Sequence, residues 1–127
     1  ASSRAYERLT RPNGDSAVLM ISPPRPDGPA IRLGKPYSAI AHLAENVDAF
    51  VAMDRGLHSL GYSAPAIYAQ DLETGLLLIE DLGHEGVIDG DGPIAERYEA
   101  AARLLADLHR HTLPTILPVA EGRDHVL

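Results

Sequence analysis

The sequence predicts an α+β fold, an antiparallel sheet with a helix on one face, and two pairs of strand-like runs with one helical stretch between them are the reason. Strands joined as hairpins pair antiparallel, whereas a doubly wound parallel sheet needs a helix after every strand. The first pair is Tyr6-Glu7-Arg8-Leu9-Thr10 and Ser16-Ala17-Val18-Leu19-Met20-Ile21, flanking Arg11-Pro12-Asn13-Gly14-Asp15. Pro12 presets φ and Asn13-Gly14 accept positive φ, so this is a β-hairpin. Residues 22–36 hold five of the ten prolines together with Gly28 and Gly34, a density expected to leave only a surface loop.

A short helix is expected over residues 38–45. Asn46 then offers an N-cap, and Val47, Phe50, Val51, Leu57 and Leu60 recur at helical spacing until Gly61 supplies the stop. The second hairpin joins Ile67-Tyr68-Ala69-Gln70-Asp71-Leu72 to Leu76-Leu77-Leu78-Ile79-Glu80 through Glu73-Thr74-Gly75. Its second strand is apolar nearly throughout, as a buried central strand would be. An acidic, glycine-rich connector over residues 83–92 leads to Pro93, placed at the first turn of a helix whose stripe is Ile94, Tyr98, Ala101, Leu105 and Leu108. That helix should end near His111, because Pro114 and Pro118 follow, and the tail shows no periodicity.

Composition narrows the function classes. The chain has 127 residues, 45% of them hydrophobic, enough for one domain with a core or part of a larger one. Neither an apolar run long enough to span a membrane nor a secretory leader is visible, and the absence of cysteine excludes a disulfide framework and thiolate metal sites. A soluble, cytoplasmic protein is expected. The net charge of −7, with eleven scattered basic residues, argues against direct nucleic-acid binding. Asp89-Gly90-Asp91-Gly92 lacks the further acids of a calcium loop and reads as a solvated turn. His109 and His111 lie on different faces of a helix end, so they suit its C-terminal dipole rather than a shared metal.

The order hairpin, helix, hairpin, acidic connector, helix, with Ser2-Ser3-Arg4-Ala5-Tyr6-Glu7-Arg8-Leu9, Val18-Leu19-Met20-Ile21-Ser22-Pro23-Pro24, Leu76-Leu77-Leu78-Ile79-Glu80-Asp81-Leu82-Gly83 and Leu104-Leu105-Ala106-Asp107-Leu108-His109, resembles the aminoglycoside-phosphotransferase superfamily over nearly the whole chain. The residues Pro36-Tyr37-Ser38-Ala39-Ile40-Ala41-His42-Leu43-Ala44-Glu45 and the segment 83–98 are most similar to the phosphotransferase half of bacterial proteins in which such a kinase is fused to the ATPase subunit of the tRNA threonylcarbamoyladenosine machinery. Relatives of that half include kinases acting on the anomeric hydroxyl of amino sugars. The resemblance implies the N-terminal lobe of the protein-kinase-like fold, without its first strand, and the start of a helical C-terminal lobe. Residues 1–83 would form the nucleotide lobe and its hinge, and residues 84–127 the connector and first helix of the next lobe.

It further implies ATP and magnesium as cofactors, a sugar or amino-sugar hydroxyl as acceptor, and an associated or fused tRNA-modification ATPase as a possible partner. Ser2, Ser3 and Arg4 would meet the nucleotide phosphates through backbone N–H groups, hydroxyls and a guanidinium. Glu80, Asp81 and Leu82 would form the hinge, presenting the Glu80 carbonyl and the Leu82 N–H to an adenine edge, so that the side chain of Asp81 should matter little. Met20 stands where such enzymes place a phosphate-binding lysine, and methionine cannot hold a phosphate. The sole lysine, Lys35, lies in the proline-rich loop, so Arg4, Arg32 or Lys35 would have to substitute. Without a lysine partner, Glu45 and Asp48 read as solvated or capping carboxylates. Gly122-Arg123-Asp124-His125 follows His109 too closely to be a catalytic loop. No general base and no magnesium ligand set is identifiable, so these residues alone should not transfer phosphate. The alternative is a non-catalytic nucleotide-sensing or partner-binding module.

Overall fold

The computed structural model describes residues 4–24, 30–32, 35–36 and 46–127, with only the backbone described at 30–32 and 35–36. The expected helix over 38–45 lies outside the described residues. Strands β1 (Ala5–Thr10) and β2 (Ser16–Ile21) pair in the predicted hairpin. Gly14 takes φ 91°, and Asn13 accepts from the Asp15 N–H at 3.1 Å while its amide donates to the Asp15 carboxylate at 2.7 Å. Strands β5 (Ile67–Asp71) and β6 (Leu76–Glu80) form the second hairpin, and the four make one antiparallel sheet in the order β1-β2-β6-β5. This antiparallel sheet with helices confirms the α+β class and is consistent with the expected N-terminal lobe.

Register explains which side chains are buried. Met20 lies opposite Tyr6 on one side and Leu77 on the other, and Val18 opposite Arg8 and Ile79, so these residues share a face. Helix α1 (Val47–Ser59) covers that face, and Met20, Leu77, Ile79, Val47, Val51 and Ala52 form the core with Leu117 and Val119. Asn46 caps α1 by accepting from the Asp48 N–H at 3.0 Å. Gly61, at φ 85°, ends it, with Tyr62 N–H donating to the Leu57 carbonyl at 3.0 Å. β6 is central as expected, but Leu77 and Ile79 are buried and Leu76, Leu78 and Glu80 only half-buried, because α1 covers one face.

Three expectations are corrected. The proline-rich segment is not wholly irregular: β3 (Ala30–Arg32) and β4 (Lys35–Pro36) form a small hairpin, short enough for Pro36 to sit at its end. The tail is not patternless either, since β9 (Ile116–Ala120) and β10 (Arg123–Val126) pair about a turn containing Gly122 at φ 69°. Helix α2 (Ala95–Leu108) starts later than Pro93, which instead ends a two-residue pairing of β7 (Ile88–Asp89) with β8 (Gly92–Pro93).

The chain forms two compact units, Ala1–Asp81 with Ile116–Leu127, and Leu82–Thr115. The sequence division at residue 83 had left residues 116–127 with the second part. In the first unit β9 packs on α1, where a Cβ added to Gly56 would lie 3.1 Å from Leu117 Cδ1, so the missing side chain permits close approach. The Arg55 guanidinium also donates to the Val119 carbonyl. In the second unit Arg97 donates to the Gly86 carbonyl at 2.5 Å and pairs with Glu85 at 2.8 Å, tying α2 to its connector. None of the residues of α2 is buried, and Tyr98, Leu104 and Leu105 of its apolar positions are exposed.

Candidate functional site

β6 delivers Glu80 and Asp81 to the edge of the first unit, where ladder pairing with β2 ends at Ala17 opposite Glu80. Beyond that point side chains take over from the ladder. Ala66, just before β5, binds Glu80 twice: its carbonyl accepts from the Glu80 N–H at 2.8 Å, and its N–H donates to Glu80 Oε2 at 3.0 Å. From the opposite side of the sheet Arg8 forks onto Asp81, with Nε donating to Oδ2 at 2.5 Å and a terminal nitrogen to Oδ1 at 2.8 Å. The Asp81 side chain is 7% exposed. That hydrogen-bonded pairing holds the Arg8 guanidinium above its ordinary pKa. Asp81 is therefore engaged through its side chain, which the backbone-only reading of the hinge had left without a task. Leu82 follows, 66% exposed, and Gly83 turns the chain at φ 85°.

Ser2 and Ser3 lie outside the described residues, and Arg4 is half-buried just before β1. Met20 has no exposed surface: its side chain belongs to the core beneath α1 and presents nothing to a ligand. Arg32 and Lys35 are cross-strand partners in the β3–β4 hairpin, where only their backbone is described. The structure thus pairs Asp81 with Arg8, ties Glu80 to Ala66 and keeps Met20 in the interior.

Two further groups have partners that the sequence did not show. Asp48 is 8% exposed rather than solvated, and Arg123 Nε donates to its Oδ2 at 2.7 Å while a terminal nitrogen reaches Glu73 at 2.9 Å. This places Arg123 in an ion pair with Asp48 and Glu73. Asp54, 7% exposed on α1, lies 3.7 Å from His58, and burial pushes its carboxyl above the usual aspartate range. Partners more than seventy residues apart leave no local signal, so Arg8 and Arg123 could have been found only through strand register.

Among the described residues no group of three or more His, Cys, Asp or Glu could hold a metal ion. Residues 80 and 81 are held from two sides, Glu80 by Ala66 and Asp81 by Arg8. Among the described residues no helix is long and apolar enough to cross a membrane.

Comparison with known proteins adds the lineage. The profile of the phosphotransferase enzyme family matches residues 1–126. An N-acetylmuramate/N-acetylglucosamine kinase of Caulobacter vibrioides is 40% identical over 129 residues, covering 92% of this chain and 35% of the relative. The N-acetylmuramate/N-acetylglucosamine kinase of Pseudomonas putida is 42% identical over 106 residues, covering 79% of this chain and 26% of the relative. The chain thus spans about a third or less of these relatives' length. No solved structure matches it.

Proposed function

Because the chain belongs to the phosphotransferase enzyme family, we propose that it is the ATP-binding N-terminal portion of a small-molecule kinase that phosphorylates a hydroxyl of a sugar or amino sugar. The braced exit of β6 carries the reading. Main-chain groups of residues 80–82 would take the adenine edge, and residues 2–4 would approach the phosphates, with Arg32 or Lys35 as further candidate cations in place of the lysine that Met20 replaces. Magnesium would neutralise charge on the transferring phosphoryl group, held by residues outside the described set. The relatives' names direct the acceptor search to N-acetylmuramate and N-acetylglucosamine. An ATP-dependent sugar kinase would work in the cytoplasm, and fusion or association with a tRNA-modification ATPase is the further expectation from the resemblance.

Calorimetry with ATP and magnesium on the full-length protein containing these residues tests the proposal, followed by phosphorylation of the two amino sugars. Saturable ATP binding and turnover are expected; absence of ATP binding refutes it. One observation favours a second reading, a non-catalytic nucleotide-sensing or partner-binding module: Met20, which the resemblance sets at the lysine position, lies wholly inside an apolar core. ATP binding without transfer to any sugar hydroxyl would select that reading.

A further inference from the structure

A main-chain recognition edge is useful only if its carbonyl and N–H hold their direction to a few tenths of an ångström, because hydrogen bonds weaken steeply with misalignment. Pairing of β6 with β2 ends at Glu80, and the contacts from Ala66 and Arg8 bear on the direction in which the chain leaves the sheet. Ala66 fixes Glu80 from the β5 side. On the other side the nearest strand is β2, yet the brace comes from β1, one strand further out. Two strand spacings amount to about 10 Å, which asks for a long side chain based on a rigid strand. Arg8 satisfies this: its own backbone is locked in the β1–β2 ladder opposite Val18, and Val18 lies opposite Ile79, two residues before Asp81 on the same face. The planar fork meets both carboxylate oxygens at once, which fixes the orientation of Asp81 as well as its distance.

We propose that Arg8 is a positioning residue for nucleotide recognition, acting through its fork to Asp81, which sets the direction of the main chain at residues 80 and 81 where it leaves β6. The inference rests on the nucleotide-site reading above. It assigns to an outer strand, whose side chains all reach the surface, a part in base selection.

The test uses the full-length protein, with steady-state KM for ATP, GTP and sugar measured alongside kcat and thermal midpoint. Arg8→Ala and Asp81→Ala should raise KM for ATP about tenfold or more and narrow the preference for ATP over GTP, leaving the sugar KM and kcat within about twofold. Arg8→Lys, a point charge that cannot fork, should fall between, and Asp81→Asn keeps the shape if the alanine variants do not fold. Arg123→Ala is the control, because it breaks a different ion pair of the same unit: it should lower the thermal midpoint without a selective ATP effect. An unchanged ATP KM in Arg8→Ala, an equal rise in both KM values, or the same selective pattern in Arg123→Ala would overturn the inference while leaving the kinase reading intact. A wild-type protein that binds no ATP overturns both.

Discussion

Placing a lysine at position 20 is the most direct interrogation of this lobe. Met20 is fully buried and touches a core built from Val47, Val51, Ala52, Leu77 and Ile79. A lysine amine normally titrates near 10.4, and full burial lowers such groups by about 3–5 units. With a folded-state pKa near 6, the amine holds its proton less readily in the folded than in the unfolded chain between the two pKa values, so the variant loses stability there. At about 1.36 kcal/mol per unit, Met20→Lys should cost about 4–5 kcal/mol at pH 7. Because the unfolded chain binds the extra proton throughout this range, the deficit shrinks as the pH rises, and near pH 9.5 about 1 kcal/mol of the charge penalty should remain. A loss of about 4 kcal/mol is a large share of the 5–15 kcal/mol typical of a domain. Urea unfolding at the two pH values, with Met20→Leu as a volume-matched control costing under about 1.5 kcal/mol, measures it. A Met20→Lys protein within about 1 kcal/mol of wild type at pH 7, or a deficit unchanged by pH, would refute the reasoning by showing that the amine reaches an anion or solvent.

Two further outcomes are expected. Gly75→Ala should destabilise far more than Gly14→Ala in thermal unfolding: both sites have positive φ, worth about 1–2 kcal/mol, but a Cβ at Gly75 would lie 2.1 Å from the Ser22 carbonyl oxygen, whereas Gly14 has nothing within 4 Å. Asp54→Asn should stabilise at neutral pH, because burial raises the Asp54 pKa and so makes its ionised form a liability above that value; the advantage should fade in urea titrations as pH drops through it and wild-type Asp54 takes up its proton.

The two main hairpins were legible because their turns are local chemistry, Asn13-Gly14 in one and Thr74-Gly75 in the other, and α1 because Asn46 and Gly61 bracket a helical stripe. β9 and β10 escaped because their partners are each other and α1; Pro118 inside β9 looks like a breaker until the strand proves to have a single strand neighbour. The residues 80–82 could be singled out from their string and from the order of elements around it. What holds them could not, since Asp81 and Arg8 are 73 positions apart and every residue of β1 has an exposed pattern. Asp48 misled for a related reason: an acid in the first turn of a helix suits a solvated cap, and only the arrival of Arg123 makes its burial tolerable.

The β9–β10 hairpin also bears on synthesis. The first unit is discontinuous, with Ile116–Leu127 returning to it after Leu82–Thr115 has been made. During translation, α1 and the four-stranded sheet emerge while Leu117 and Val119, two members of their core, are still inside the ribosome. A nascent chain halted after Asp81 would leave the Gly56 groove open and Asp48 without Arg123. This lobe therefore completes its interior only after the segment that follows it, and shortening the protein from the C-terminal side of residue 116 would be felt first at the N-terminal lobe.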